Sequence, residues 1–321
     1  MQSEVRAENK KPETKRKFEV IIIGAGPAGY TAAIYTSRAK RDTLVISGNL
    51  PGGQLMLTTD VENYPGFAEG IFGPELMTTM RKQAEKMGTT IIDDEVVNVD
   101  LRQRPFKILT YSEEYEADTV VVATGANPRK IGAKGEQEFS AKGVSYCATC
   151  DGPFFKNQDL VVAGGGDSAM EEAIFLTKFA KSVHVVHRRD KLRASKIMQD
   201  RAFENKKIKF HWNSVIDEIK GSQKVNQITV KNLQTNQKET LEAGGIFVAI
   251  GHEPNTKLFK GQIELDDQGY IKLKNDTKTS VEGVFAAGDV HDHRYRQAIT
   301  AAGFGCMAAI DVDKYLSENK K

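Results

Sequence analysis

The chain has 321 residues, 40% apolar and 27% charged, which exceeds the about 250–300 residues at which one hydrophobic core tends to split, so two domains are expected. Its 45 basic and 43 acidic residues leave a net charge of +2, which excludes the one-sided field of a nucleic-acid or membrane-surface binder. The longest apolar runs, such as Val20-Ile21-Ile22-Ile23, fall far short of the ~18 residues that span a bilayer; three cysteines are too few for a secreted disulfide framework, so cytoplasmic residence is expected.

Residues 1–17 are polar, with Glu4, Glu8 and Glu13 among six basic residues. They lack both an apolar signal core and the acid-poor composition of a transit peptide, and are expected to form a disordered tail. Residues 18–23 then read as a buried strand, 27–39 as an Ala-rich helix and 43–46 as a second strand. Between strand and helix lies Gly24-Ala25-Gly26-Pro27-Ala28-Gly29. In that setting glycines let the backbone turn tightly and approach a pyrophosphate resting on the helix N-terminus, so Gly24, Gly26, Pro27, Ala28 and Gly29 are candidate dinucleotide contacts. Such units usually close the next strand with a ribose-binding acid. Ser47 stands there instead, and its hydroxyl can still serve a ribose, more weakly than a carboxylate.

Residues 120–123 form a further buried strand running into Thr124-Gly125-Ala126-Asn127-Pro128. Residues 246–250 nearly repeat it, running into Gly251-His252-Glu253-Pro254. These near-repeats bracket a second unit, so 129–253 reads as a domain inserted into a first one made of 18–128 and 254–321, with crossing linkers near 128 and 254 that can act as hinges. Inside it, Cys147-Ala148-Thr149-Cys150-Asp151 has three possible meanings. Zinc needs about four ligands, and Cys306, the one other cysteine, reads as a core residue. An inert reduced pair is the second. A redox dithiol is favoured, because the spacing closes a small ring and Asp151 lies ready to deliver or accept a proton.

Strand 160–163, turn Gly164-Gly165-Gly166-Asp167-Ser168-Ala169, helix 169–180 and strand 183–186 repeat the first unit's order, with Gly166, Asp167, Ser168 and Ala169 as candidate contacts. The closing strand runs into His187-Arg188-Arg189, with Arg193 beyond. No carboxylate is present to repel a phosphate, and guanidinium forks suit a 2′-phosphate, so NADPH is expected over NADH. Residues 284–287 form a strand ending in Gly288-Asp289, and 297–315 a C-terminal helix. No histidine spacing suggests a metal. Two dinucleotide sites flanking a dithiol point to electrons passing from a nicotinamide to a flavin and on to a disulfide.

Together these motifs resemble the low-molecular-weight thioredoxin reductases over residues 18–316. Added to those above, Gly52-Gly53-Gln54-Leu55, Glu62-Asn63-Tyr64-Pro65-Gly66, Gly288-Asp289-Val290 and Tyr295-Arg296-Gln297-Ala298-Ile299-Thr300 carry the resemblance. It implies an α/β fold of two doubly wound Rossmann-like dinucleotide-binding domains, with the NADPH domain inserted into a discontinuous FAD domain. It places Gly288 and Asp289 on the ribityl and phosphate part of FAD, and Gln54, Asn63 and Gln297 near the isoalloxazine. Further cofactor contacts are implied at Gly52, Gly53 and Leu55, at Val96, Ala123 and Gly125, and at Ile250, Arg296 and Ala298.

The implied reaction passes hydride from NADPH to FAD and electrons on to the Cys147–Cys150 disulfide, with Cys150 on the flavin side. Asp151 is the implied proton donor and acceptor, and Cys147 the sulfur that attacks the disulfide of thioredoxin. The family alternates between two domain orientations and forms homodimers. Phe154 and Phe155, just past the dithiol, read as packing in preference to a docking surface. Two other electron acceptors are weighed: another small dithiol protein, and oxygen in a dithiol oxidase, which has no need of His187-Arg188-Arg189.

Overall fold

A computed structural model describes residues 16–319. Its contacts divide the chain into two units, one comprising 16–56, 76–125 and 254–319, the other 57–75 and 126–253. The tail expected over 1–17 lies outside the described residues up to position 15. Arg16 and Lys17, within the expected tail, are strand, paired in register with Tyr115 and Glu116. The expected assignment also differs at Leu57–Glu75, which groups with the second unit. Its two short strands, Asp60–Val61 and Ile71–Phe72, pair with each other and not with the first unit's large sheet.

In the first unit, five parallel strands run in the order Thr90–Ile92, Thr43–Ile46, Arg16–Ile23, Glu114–Val122, Val284–Ala286. They are β-branched and apolar because both faces are buried. Ile21, Leu44, Val120 and Val122 point into one core cluster, while Val20, Ile22, Val45 and Val121 on the opposite face are also fully buried. Each such side chain contributes about 1.5–3 kcal/mol of burial free energy. Glu114–Val122 is longer than its neighbours and shares one edge between two partners. Its first half pairs antiparallel with Phe106–Thr110, which pairs in turn with Val96–Asp100, and its last three residues pair parallel with Val284–Ala286. The register aligns Ile23, Ile46, Ile92, Val122 and Ala286, so every loop that follows them opens on one edge.

Two helices of this unit, Pro27–Arg38 and Ala298–Glu318, pack backbone to backbone. A Cβ on Gly305 would lie 2.2 Å from the carbonyl oxygen of Ala28, so no larger residue fits there without separating the helices.

The second unit holds a five-stranded parallel sheet in the order Val144–Ser145, Gly245–Val248, Asp159–Ala163, Ser182–Val186, Ile208–His211. Alternation with a period of two divides it between two cores. Leu160, Val162, Val183, Val185 and Phe247 face a cluster that includes Met170, Ala173 and Leu176 of the helix Asp167–Leu176. Val161, Ala163, Val186, Ile246 and Val248 face one completed by Ile216, Ile228 and Val230. The last three belong to an antiparallel sheet, Ser214–Gly221, Val225–Asn232 and Lys238–Glu242. Each unit is thus doubly wound about its parallel sheet, and in each the strand order reverses beside the strand that leads into a glycine turn.

Candidate functional site

At the first turn three glycines do three different things. Gly24 has φ +110°, and a Cβ on it would sit 2.3 Å from the Ala123 carbonyl oxygen; a Cβ on Gly29 would lie 1.9 Å from the oxygen of Gly24. Only Gly26 faces open space, with nothing within 4 Å of where its Cβ would be. Pro27 is the first helical residue, and no acidic side chain occupies the first turn of Pro27–Arg38. Free N–H groups and the positive helix end therefore border an open cleft at Gly26, which fits an anionic diphosphate. Gly53 closes one side, its ideal Cβ 3.5 Å from Gly26 Cα, and the one-turn helix Gly53–Leu57 carries exposed Gln54 and half-buried Leu55. Gly52 has φ +99°, and a Cβ on it would collide with Met56.

Ser47 is buried, and its hydroxyl donates to Asp93 Oδ1 at 3.0 Å; the same carboxylate oxygen accepts from Arg81 Nη1 at 2.6 Å. The acid that the sequence lacks at position 47 thus arrives from the end of the neighbouring strand. The Arg81 guanidinium holds the Asp93 carboxyl below its ordinary range. Val96 is buried in the core, which leaves its backbone as the part able to meet a ligand. Ala123 and Gly125 follow the Glu114–Val122 strand on the turn's own edge.

The return segment 288–298 borders the same turn. A Cβ on Gly288 would lie 2.9 Å from the Ala28 methyl group. Asp289 is half-buried, and desolvation with the nearby Asp292 carboxylate pushes its pKa up to about 7. Asp292 accepts from the backbone N–H groups of Arg294, Tyr295 and Arg296 at 3.0, 2.9 and 3.3 Å, and so folds the loop in which Arg296 takes a positive φ of 48°. Gln297 caps the Ala298–Glu318 helix in a reciprocal box with Thr300, and its amide donates to the Tyr295 and Arg296 carbonyls. Asn63, grouped with Gln297 in the sequence reading, lies in the other unit.

The second turn is looser. Gly166 again faces open space, and Ala169 takes the place of the third glycine with its methyl group fully buried. His187 is 5% exposed. Its ring fills the space beside Gly165, where a Cβ would come within 2.2 Å of Nδ1, and Nε2 lies 3.0 Å from the Lys191 carbonyl oxygen. That oxygen can only accept, so Nε2 carries the proton. Burial and three neighbouring arginines hold the ring's pKa below its ordinary value, and the neutral imidazole wedges the turn against the basic loop.

That loop is also stapled directly. Arg193 N–H donates to the Gly165 oxygen at 2.7 Å, and Asp167 Oδ1 accepts from the backbone and hydroxyl of Ser195 at 2.9 and 2.7 Å. Arg188, Arg189 and Arg193 are exposed, like Ser168, and among the described residues none of the three guanidiniums pairs with a carboxylate. The arrangement suits an added phosphate on a nucleotide ribose. Ile250 is half-buried against the antiparallel-sheet core.

Cys147 and Cys150 form a disulfide with Cα atoms 5.3 Å apart. Cys147 caps the single helical turn Ala148–Asp151; its Sγ accepts from the Cys150 N–H at 3.2 Å and lies 3.2 Å from the Thr149 hydroxyl. Burial raises the Asp151 pKa, opposed by a 2.6 Å hydrogen bond from the buried Ser145 hydroxyl. The sequence reading missed Ser145, and missed Glu136, a buried carboxylate that accepts from the N–H groups of Ile131 and Gly132 and from the hydroxyl of Tyr146. Phe155 packs edge-on against Phe247 at 5.4 Å, whereas Phe154 is 43% exposed. Among the described residues no cluster of His, Cys, Asp and Glu could hold a metal ion.

Residues 18–305 match the family described as pyridine nucleotide-disulphide oxidoreductase. A thioredoxin reductase of Streptomyces clavuligerus is 57% identical over 302 residues, covering 93% of this chain and 94% of that protein. One of Rickettsia felis is 56% identical over 305 residues, covering 94% and 98%. Among solved structures, the thioredoxin reductase from Giardia duodenalis superposes with a TM-score of 0.90 at 46% identity, covering 94% of this chain and 100% of that one.

Proposed function

We propose, for a chain that belongs to the pyridine nucleotide-disulphide oxidoreductase family, the following division of labour among its residues. The chain is an NADPH-dependent thioredoxin-disulfide reductase that uses FAD, and Cys147–Cys150 is its redox disulfide. When bound, FAD takes a hydride from NADPH and supplies the electron pair that opens a disulfide. The first unit holds FAD, with Gly24 to Gly29, Gly52 and Gly53 around the diphosphate and the segment Gly288 to Ala298 beside it. The second holds NADPH, with Gly166 to Ala169 at the diphosphate and Arg188, Arg189 and Arg193 at the 2′-phosphate.

Cys150 faces the electron donor, and Asp151 protonates the sulfur released as the S–S bond opens. Cys147 is the sulfur that attacks thioredoxin. The N–H of Cys150 and the hydroxyl of Thr149 point at its Sγ, and both donors stabilise a thiolate there. The resulting mixed disulfide is resolved by the second thiol, which returns Cys147–Cys150 to the oxidised form and leaves thioredoxin reduced. Exposed Phe154 supplies an apolar contact for that partner. The observation that carries this reading is the disulfide with an adjoining half-buried acid, in a unit that also presents exposed guanidiniums at a nucleotide turn.

Homodimer formation is part of the proposal. Tyr35, Ile299, Met307 and Ile310 are each at least 40% exposed on the two helices that pack at Gly305, a larger apolar strip than scattered surface residues make. Cytoplasmic residence is proposed from the cysteine usage; separately, among the described residues no helix is long and apolar enough to cross a membrane.

Steady-state oxidation of NADPH, with NADH as control, with and without oxidised thioredoxin, tests the reading. Turnover that requires thioredoxin and prefers NADPH is expected. Bleaching of the flavin by NADPH without acceleration by thioredoxin would reassign the acceptor to another dithiol protein or to oxygen.

A further inference from the structure

Ser145 sits two residues before the redox disulfide, on the buried strand Val144–Ser145, paired in register with Phe247. Its side chain is 4% exposed, so its hydroxyl has no water to exchange with and its partners are fixed by the fold. Those partners all belong to the redox centre. Asp151 Oδ2 lies 2.6 Å away, and the Cys147 N–H donates to Ser145 Oγ at 3.1 Å. The Cys147 carbonyl oxygen is also within 3.4 Å, but a hydroxyl has one proton and the short contact to the acid claims it. The side chain therefore bridges the backbone of the attacking cysteine to the carboxyl group that handles the proton.

We propose that Ser145 is a positioning residue for the reductase reaction. It holds the Asp151 carboxyl beside the disulfide, and it sets the pH range over which that carboxyl holds its proton. The inference rests on the reading of Asp151 as the proton donor and acceptor. Two opposed effects act on the acid: burial disfavours its charged form, and the Ser145 hydroxyl favours it. Burial outweighs the hydroxyl. No charged side chain joins them. The helix Asp167–Leu176 packed against the short helix carries Glu171 and Glu172, and neither contributes to the shift; Gly152, next in the chain, is enclosed by Leu176, Phe175 and Phe179. When reduced, the cysteine pair adds titratable groups of its own. With the hydroxyl removed, burial acts unopposed and the acid holds its proton to higher pH.

The test uses the flavin-loaded enzyme in four forms: unaltered, Ser145→Ala, Ser145→Thr and Asp151→Asn. Two quantities are followed against pH, thioredoxin-dependent kcat/KM and the infrared carboxylate band that Asp151→Asn abolishes. Ser145→Ala is expected to move both the band and the kinetic limb upward by about 1–2 pH units, the shift that corresponds to a lost hydrogen bond to a charged group. Ser145→Thr keeps a hydroxyl and is expected to restore both, which a merely structural loss of packing would not do.

A band that titrates in Ser145→Ala as in the unaltered enzyme overturns the proposal. If Asp151→Asn leaves the kinetic limb in place, the proton-transfer role of Asp151 falls with it, while the band still reports whether Ser145 governs its ionisation.

Discussion

The two glycine turns occupy the same place in the same topology and are built to different tolerances. At the first, the third glycine has no room for a methyl group, because the Gly24 carbonyl lies 1.9 Å from where its Cβ would be; at the second, alanine stands in that position and packs fully buried. The first is flanked by two returns of the chain, Gly288 and Gly305, both against Ala28. The second is bordered by a surface loop held through His187, Gly165 and Ser195, with three exposed guanidiniums. Under the proposed assignment of FAD to the first turn and NADPH to the second, the resident cofactor meets the close fit and the co-substrate, which must leave at every turnover, the open one. The same scaffold serves both because the parallel sheet fixes where the turn sits and the loops around it fix how tightly it closes.

The largest effect we expect bypasses both turns. Cys150→Ser removes the disulfide while leaving each nucleotide site intact, so thioredoxin-dependent turnover should fall by about 10³ or more while NADPH still bleaches the flavin; bleaching lost along with turnover would mean the turns are not independent of the dithiol. Next comes the direct contrast. Gly29→Ala should cost about 3 kcal/mol or more and yield protein depleted in FAD, since backbone must move to admit the methyl group. Ala169→Gly should cost about 1 kcal/mol and leave FAD content unchanged. Equal effects, measured by flavin absorbance and thermal unfolding, would erase the distinction between tight and loose turns.

A smaller effect is expected at the open site. Arg188→Gln or Arg189→Gln should raise KM for NADPH about tenfold or more through loss of a charge-assisted pair, with KM for NADH unmoved. A parallel rise for NADH would assign the guanidiniums to the diphosphate instead. The smallest effect concerns Asp289 beside the tight turn. Its folded pKa, pushed up to about 7, exceeds the ordinary value of about 3.9. The stability it contributes is therefore fully present below about pH 4 and is lost as pH rises through about 7. Apoprotein melting points measured from pH 5 to pH 8 should decline more in the unaltered chain than in Asp289→Asn. Identical slopes would show that the carboxyl is solvated.

What could be read from the sequence was whatever is local. The parallel strands appeared as short β-branched runs, the turns as glycine spacings and the redox centre as Cys-x-x-Cys-Asp. The antiparallel additions were missed, because Lys238–Glu242 is polar except at Leu241, Val225–Asn232 is apolar at only three of its eight positions, and no short glycine turn joins the two. Single contacts across long separations were equally hidden: Asp93 accepts the Ser47 hydroxyl's hydrogen bond from 46 positions away. That His187, which adjoins two arginines, is buried against Gly165 is visible only in the structure. Ser145 gave no signal, since a serine at the end of a strand is ordinary until its neighbours in space are known.

The shared edge of Glu114–Val122 dictates an order of events on the ribosome. As the chain emerges, residues 114–117 find Phe106–Thr110 at once, but the parallel seat at Val120–Val122 stays vacant until residues 284–286 have been made, some 160 positions later. The helix that packs against Ala28 through Gly305 is later still. By contrast, every residue of the other unit has been synthesised by position 253. The first unit begins first and finishes last, and for about half of translation its sheet edge at 120–122 stays open to a chaperone or a neighbouring nascent chain.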